Sequence, residues 1–180
     1  GVFAQPRIIQ PASISGMFAQ PFDTSGDNAE LAALISELAE KDLANEYEVG
    51  EQIGRGGCAI VYEAWRKTDN LHVVIKMLHS SSVLDPDEAT VAIKRFIREA
   101  KLISSLDEPH IVQCVGYGCF NGTPCMVLEF VDGLALNQLL EKMGPMPLRF
   151  ATGIIEQLLT ALVETHAKGI IHRDIKPSNI

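Results

Sequence analysis

The stretch Ile171-His172-Arg173-Asp174-Ile175-Lys176-Pro177-Ser178-Asn179 decides how the rest of this chain is interpreted. It follows a predicted helix that ends at Gly169, and it places an acid, two bases and an amide within eight positions. Taken alone, its last three residues are of types that are common in turns. However, a carboxylate can accept a proton, a cation can meet negative charge, and an amide oxygen can bind a hard cation. A polar turn leaves this combination of residue types unexplained.

Residues 172–179 resemble the catalytic loop of eukaryotic-type protein kinases, with Ile where Leu is usual at the fourth position. The resemblance implies that Asp174 orients an incoming hydroxyl and accepts its proton, that Lys176 meets charge on the transferred phosphoryl group, and that Asn179 binds Mg²⁺. It also implies that Arg173 contacts a phosphorylated activation loop. A lysine at position 176 is typical of the serine/threonine kinases.

Composition and charge limit the class of protein. The 180 residues suit one domain, since domains commonly hold roughly 100–200 residues. A hydrophobic content of 47% is typical of a chain that forms a core. The net charge of −8 argues against a nucleic-acid partner, because phosphate binding requires clustered Lys and Arg. No uncharged apolar run approaches the ~18 residues of a membrane span, so no membrane tether is visible in this stretch.

The cysteines indicate a compartment. Cys58, Cys114, Cys119 and Cys125 form no C-x-x-C pair, and no histidine stands at zinc spacing from them. Free thiols in a reducing environment are the simplest account, so we expect a cytoplasmic location for the domain. Whether the whole protein is anchored to a membrane stays open.

The ends of the sequence suggest a fragment, because it begins with Gly1 rather than Met and ends at Ile180 inside the loop. The resemblance implies an Asp-Phe-Gly motif, an activation loop and later large-lobe helices, and this sequence contains none of them. We therefore expect residues 1–180 alone to be inactive, and unstable or self-associating. Four apolar side chains of the last helix would lie partly exposed: Ile154, Ile155, Leu158 and Leu162.

Alternation of apolar and polar residues predicts the sheet. Three alternating segments are joined by hairpin-length turns, which indicates antiparallel pairing, since parallel strands need crossover connections. Two similar segments follow a predicted helix, so the predicted fold class is α+β with a five-stranded antiparallel sheet. The predicted strands cover residues 47–53, 60–65, 73–78, 111–117 and 124–130, and the predicted helices cover 86–106, 136–142 and 148–168.

The first long helix carries a buried stripe with an acid beside it. Phe96, Ala100 and Ile103 mark its packed side at helical spacing. Glu99 lies next to this stripe, where an unpaired carboxylate would be costly. Glu99 is therefore expected to have a cationic partner.

Residues 53–61 resemble the glycine-rich loop of kinases, in which backbone N–H groups approach the phosphates of ATP. The spacing matches G-x-G-x-x-G-x-V except that Ala occupies the third glycine position. A plain hairpin turn would explain the same residues, whereas a Rossmann interpretation fails because the loop leads into a strand. The resemblance implies these nucleotide-binding residues: Ile53, Gly54, Arg55, Gly56, Gly57, Cys58, Ala59 and Val61.

Lys76 ends the segment Val73-Val74-Ile75-Lys76, where kinases have V-A-I-K. Alone, such a lysine could simply extend its ammonium group to water. The resemblance implies that Lys76 contacts the α- and β-phosphates of ATP and that Glu99 holds it there. Val74 replaces the small alanine that usually faces the adenine.

Residues 128–133 resemble the hinge between the two lobes of a kinase. By resemblance, Leu128 is the gatekeeper, and Glu129 and Val131 offer backbone groups to the adenine. The edge of a buried strand would explain the same residues taken singly.

The order of these five motifs is similar to that of bacterial receptor-type serine/threonine protein kinases over residues 47–180. The resemblance implies a protein-kinase-like fold with a complete small lobe (47–132) and the start of a helical large lobe (133–180). Residues 1–46 are interpreted as a flexible extension with a short helix. The implied function is phosphorylation of serine or threonine hydroxyls in protein substrates, with ATP and Mg²⁺.

Two other classes of function stay open. A non-catalytic nucleotide-binding or scaffold module is favoured by the missing Asp-Phe-Gly motif. A small-molecule phosphotransferase could share the fold, although Arg173, Lys176 and Pro177 favour the protein kinases. An Asp-Phe-Gly motif shortly beyond Ile180 would favour the enzyme.

Overall fold

The structure is a computed structural model that describes residues 36–38, 40–56, 59–78 and 86–180, with the backbone alone for residues 86–90. Residues 36–38 are helical, and short 3-10 helices occupy Leu43–Asn45 and Pro177–Asn179. Among the residues that the structure describes, no helix combines the length and the hydrophobicity that a membrane span requires. The main elements are β1 (Tyr47–Arg55), β2 (Ala59–Arg66), β3 (His72–Leu78), α1 (Pro86–Ser104), β4 (Cys114–Phe120), β5 (Thr123–Glu129), α2 (Leu136–Met143) and α3 (Leu148–Ala167).

The five strands form one antiparallel sheet in the order β1-β2-β3-β5-β4. Hairpins connect β1 to β2, β2 to β3 and β4 to β5, while α1 lies in the connection that leads from β3 to β4. The predicted α+β fold with a five-stranded antiparallel sheet is therefore confirmed. Cross-strand pairing places Val61, Lys76 and Met126 in one row across β2, β3 and β5.

The main hydrophobic core lies on one face of the sheet. Val73 and Ile75 are fully buried there, together with Ala64 from β2 and Val127 from β5. Burial of each of these valine and isoleucine side chains contributes about 1.5–3 kcal/mol. Because successive strand residues point to opposite faces, Val74 and Lys76 lie on the other face.

The fourth strand begins later than the sequence predicts. The apolar residues Ile111 and Val112 suggested a strand from 111, but β4 starts at Cys114. The Ile111 N–H donates to the Glu108 carbonyl at 3.0 Å, and the Glu108 carboxylate accepts the His110 N–H at 2.8 Å. This turn uses the backbone groups that a strand would need. Similarly, α1 ends at Ser104 rather than at the predicted residue 106.

The described residues form two compact units. One contains the sheet and α1, and it joins residues up to 105 with residues 114–130. The other joins residues 106–113 with residues 131–180, which include α2, α3 and the final loop. Within α3, Ile155 is half-exposed as expected, but the expectation that Leu158 is exposed is wrong. Leu158 belongs to a buried stripe with Ala161 and Thr165, spaced by three and four residues.

Candidate active site

The final loop is positioned by the way α3 ends. The Gly169 N–H donates to the His166 carbonyl at 2.9 Å, and the Ile170 N–H donates to the Thr165 carbonyl at 2.8 Å. These two bonds form a Schellman motif, in which Gly169 adopts a positive φ of 72° at little steric cost. Ile170 is buried directly after the turn. The chain therefore leaves the helix in a fixed direction and enters the loop at Ile171.

Three side chains of the predicted catalytic loop are connected by hydrogen bonds. Lys176 Nζ lies 2.9 Å from Asp174 Oδ2, and Asn179 Nδ2 lies 3.2 Å from the same oxygen. Asn179 Nδ2 also donates to the Asp174 backbone carbonyl at 2.7 Å. Asp174 Oδ2 is therefore held by two donors, while the carboxylate is about one-third exposed at 32%. The arrangement leaves Asp174 Oδ1 available to accept a hydrogen bond from a hydroxyl group.

The backbone on either side of Asp174 is held by its neighbours. His172 is 2% exposed, and its Nδ1 accepts the Asp174 N–H at 3.2 Å. This bond requires the His172 tautomer that carries its proton on Nε2. Arg173 has a φ of 59°, a left-handed conformation that is uncommon for residues other than glycine. Such backbone strain persists only where the surrounding structure enforces it.

The loop shifts the pKa values of two of its groups. The hydrogen bond from Lys176 lowers the pKa of Asp174, and the bond from Asn179 acts in the same direction. Asp174 is therefore ionised at neutral pH and can only accept hydrogen bonds. Burial lowers the pKa of His172, because a charged imidazole loses its hydration there. His172 is thus neutral at pH 7, as its acceptor role requires.

In the unit that contains the sheet, Lys76 and Glu99 form a buried ion pair. Lys76 Nζ lies 2.7 Å from Glu99 Oε1, and each side chain is 4% exposed. The strand β3 supplies Lys76 and the helix α1 supplies Glu99. Phe96, Ala100 and Ile103 are buried along the same side of α1, as predicted. The partner that Glu99 needed on physical grounds is therefore Lys76.

The glycine-rich segment is a turn between β1 and β2. The Gly56 N–H donates to the Ala59 carbonyl at 2.8 Å, so this amide closes the hairpin. Ala59 is buried and pairs with Leu78 in regular sheet, which explains why the third glycine position accepts a side chain here. Gly57 and Cys58 lie outside the described residues.

Strand pairing fixes the other residues predicted in this segment. Val61 pairs with Lys76 on one side and with Gly54 on the other. Arg55 pairs with Ile60, and Ile53 is half-exposed. A Cβ at Gly54 would lie 3.4 Å from the Val61 Cβ, an ordinary van der Waals contact, so packing against Val61 does not require glycine here.

The predicted adenine-facing residues lie on β3, on β5 and just beyond it. Val74 pairs directly with Leu128, and both are buried on the face that carries Lys76. Glu129 is the last residue of β5 and is partly buried. Val131 is 40% exposed and belongs to the other compact unit, since the division falls between residues 130 and 131.

The donor set for Mg²⁺ is small. The amide NH₂ of Asn179 is used towards Asp174, so its Oδ1 is the atom left to accept, and Ser178 Oγ lies 3.4 Å from it. Among the described residues, no group of three His, Cys, Asp or Glu side chains could hold a metal. Mg²⁺ commonly has only one or two protein ligands, with phosphate and water oxygens as the others. One hard amide oxygen fits that pattern.

Sequence reasoning left two features of the site unassigned. The motif gives His172 no role, but the side chain is 2% exposed, and a buried histidine needs a polar partner. The strained φ of Arg173 has no signature in the residue type itself.

The comparisons with known proteins cover residues of both compact units. Residues 47–180 match the family model described as the protein kinase domain. The probable serine/threonine-protein kinase PknB of Lactococcus lactis is 39% identical over 142 residues, which cover 78% of this chain and 22% of that protein. The chain spans only about a fifth of the length of the curated relatives it matches.

Two solved structures resemble the fold. The Mycobacterium tuberculosis PknI kinase domain aligns with a TM-score of 0.60 and 26% identity, over 74% of this chain and 53% of that one. Rad53 in complex with AMP-PNP aligns with a TM-score of 0.65 and 27% identity, over 79% of this chain and 36% of that one.

Proposed function

Because this chain belongs to the protein kinase domain family, we propose that the protein containing it transfers the γ-phosphoryl group of ATP to serine or threonine hydroxyls of protein substrates. The observation that carries the proposal is the carboxylate of Asp174. One of its oxygens is held by Lys176 and Asn179, and the other is left to accept a hydroxyl proton. Relatives named serine/threonine-protein kinases support the class of acceptor.

The reaction needs positioning and charge neutralisation more than covalent chemistry. Asp174 is ionised and fixed by its neighbours, so it can orient the attacking hydroxyl and accept its proton. Lys176 is half-exposed beside Asp174 and can place its positive charge near the transferred group. Hydrogen bonds from the Asp174 N–H to His172 and from Asn179 to the Asp174 carbonyl hold the backbone in this position.

The nucleotide is assigned to the face of the sheet that carries Lys76. Lys76 supplies a fixed positive charge for the α- and β-phosphates, and the buried ion pair with Glu99 limits its freedom. Val74 and Leu128 supply apolar contact for the adenine, and Glu129 and Val131 supply backbone groups. Members of the family generally use ATP and Mg²⁺, and Rad53 was solved with AMP-PNP.

Mg²⁺ would be held by Asn179 Oδ1 on the protein side, where it would neutralise charge on the phosphates. The glycine-rich residues Ile53, Gly54, Arg55 and Gly56, with Gly57 and Cys58, are assigned to the phosphates. Since the Gly56 N–H is bonded to Ala59, phosphate contacts from this turn would come from other backbone amides.

The domain division is part of the same proposal. We assign residues 47–132 to a small lobe, residues 133–180 to the start of a large lobe, and residues 1–46 to an extension. The division of the described chain between residues 130 and 131 supports a lobe boundary near this position. The free thiols of Cys114, Cys119 and Cys125 support a reducing, cytoplasmic setting for the domain.

Substitution of Asp174 tests the proposal. In the full-length protein, Asp174→Asn is expected to lower turnover by roughly 10²–10⁴-fold, the usual contribution of a positioned general base. Nucleotide affinity should stay the same, because Asp174 faces the hydroxyl. The exposed Asp107→Asn makes the same chemical change outside the site and should leave turnover unaltered. Turnover of the Asp174 variant at the wild-type level would refute the assignment.

A further inference from the structure

The residues that precede the family match are held against the sheet and α1. Residues 36–38 and 40–46, here called the N-terminal strap, lie before position 47, where the match to the protein kinase domain begins. They belong to the same compact unit as the sheet and α1. Leu38 and Leu43 of the strap are 3% and 8% exposed. A segment that buries its leucines in this way is part of the packed unit.

The strap is attached to β4 by its backbone. The Cys119 N–H donates to the Lys41 carbonyl at 2.9 Å, and Asp42 forms a parallel bridge with Cys119. A Cβ at Gly118 would overlap the Lys41 carbonyl oxygen, so the glycine permits this close approach. The Lys41 ammonium group lies 5.0 Å from the centre of the Tyr117 ring, within the range of a cation–π contact.

The end of the strap nearest β1 is also fixed. Leu43 packs in the main core of the sheet beside Tyr47. The Lys67 N–H donates to the Glu46 carbonyl at 2.9 Å, and Lys67 Nζ donates to the Ala44 carbonyl at 3.2 Å. These contacts anchor the C-terminal end of the strap to the sheet, and they do not involve α1.

The other end of the strap contacts α1. Leu38 packs in a cluster with Ile97 and Ile93 of α1, and that cluster includes Cys119 of β4. Glu37 Oε2 lies 2.9 Å from Lys101 Nζ. Since Ile93, Ile97 and Lys101 are each four residues apart, they form one stripe along the helix. The strap thus contacts one face of α1 and β4 at the same time.

The position of Glu99 links these contacts to the candidate site. Glu99 lies two residues after Ile97 and two before Lys101. Its carboxylate faces Lys76, whereas the two flanking residues face the strap. A helix transmits displacement as a stiff unit, so a contact that holds Ile97 and Lys101 also sets the position of Glu99.

We propose that the N-terminal strap positions the Lys76–Glu99 ion pair by holding α1 against β4, an inference that rests on the proposed kinase function. Leu38 and Glu37 are positioning residues, because they contact neither reactant and act through α1. When the strap is weakened, α1 can move away from the sheet, and Lys76 loses Glu99.

The first test measures positioning without catalysis. In the nucleotide-free full-length protein, Leu38→Ala is expected to speed hydrogen–deuterium exchange of the α1 amides and to increase acylation of Lys76 by an amine-reactive reagent. Leu38→Met conserves the contact and should behave like the wild type. Unchanged exchange and unchanged Lys76 reactivity in Leu38→Ala would overturn the proposal.

The second test reverses the charge of Glu37, the strap residue that forms an ion pair with α1. Glu37→Lys should increase Lys76 reactivity, and the exchanged pair Glu37→Lys with Lys101→Glu should reverse that increase. Glu40→Lys makes the same charge change in the strap, and no ion pair of Glu40 occurs among the described residues, so it should have no effect. An equal effect of Glu37→Lys and Glu40→Lys would contradict a role for the contact with Lys101.

The third test asks whether the strap acts through Glu99. Leu38→Ala should lower kcat/KM for ATP by about tenfold in the wild-type background. In a Glu99→Gln background the same substitution should cost less than about twofold, since the contact it serves is already lost. An equal loss in both backgrounds would indicate general destabilisation and would overturn the proposal.

The two proposals fail in different ways. A wild-type protein without phosphoryl transfer contradicts the proposed function. Unaltered α1 exchange and Lys76 reactivity in the Leu38→Ala variant of an active enzyme contradict the strap.

Discussion

Removal of one partner of the Lys76–Glu99 pair should cost far more stability than removal of both. The two atoms are 2.7 Å apart and both side chains are 4% exposed, so their attraction is roughly 6 kcal/mol at an effective dielectric constant of about 20. Much of this is offset by the desolvation of both charges. Lys76→Met leaves a buried carboxylate without its cation, which typically costs about 3–5 kcal/mol.

The double variant distinguishes the net contribution of the ion pair to stability from the cost of leaving one buried charge unpaired. Lys76→Met combined with Glu99→Leu replaces both charges by apolar groups of similar size, which is often neutral or stabilising. We therefore expect the double variant to unfold at a higher denaturant concentration than Lys76→Met alone. Phosphoryl transfer should not recover, because the double variant still lacks the charge that we assign to the phosphates and should stay as inactive as Lys76→Met.

Equilibrium unfolding in urea and initial rates of phosphate transfer provide the two readouts. The matched control is Lys168→Met, which makes the same chemical change at the ion pair between Lys168 and Glu164, whose Nζ and Oε1 atoms are 2.8 Å apart at the end of α3. The two side chains are 38% and 35% exposed, so the loss of this pair should cost only about 0–1 kcal/mol. Additive stability losses for Lys76→Met and Glu99→Leu, or transfer activity that returns in the double variant, would refute the reasoning.

Two further predictions concern stability. Because burial lowers the folded-state pKa of His172 below its ordinary 6.5, the unfolded chain binds this proton first, so stability should fall as the pH drops below about 6.5. His172→Gln should reduce the slope of the unfolding midpoint against pH in that window, and an unchanged slope would mean that His172 is not held neutral. Gly118→Ala should lower the melting temperature, since a Cβ there overlaps the Lys41 carbonyl oxygen, with a cost of about 1–3 kcal/mol. Gly116→Ala, where no atom lies within 4 Å of the added Cβ, is the matched control, and equal shifts for both variants would contradict the close approach.

The strands were predictable where short segments rich in apolar residues are bounded by turn residues. The segments around Val73 and Val127 showed that pattern, and the structure has strands there. The pattern failed at Ile111, because a short apolar run has the same appearance in a strand and in a buried turn. The bond from Ile111 to the Glu108 backbone decided the outcome.

The candidate site was predictable where a buried charge requires an opposite charge beside it, or where a motif indicates which residue supplies that charge. A buried carboxylate at Glu99 required a cation, and the motif indicated Lys76. The bond from the Gly56 N–H to Ala59 was not predictable, because it depends on the conformation of the turn. The contact of Gly118 with Lys41 joins distant parts of the sequence, and no local periodicity signals it.

We propose that the protein phosphorylates serine or threonine by means of Asp174. The most direct test incubates the full-length protein with γ-labelled ATP, Mg²⁺ and a generic protein acceptor, and identifies the labelled side chains by mass spectrometry. We predict phosphoserine or phosphothreonine with the wild type, and a roughly 10²–10⁴-fold slower appearance of label with Asp174→Asn. Label on tyrosine, label only on small molecules, or transfer at the same rate in the Asp174→Asn variant would contradict the claim.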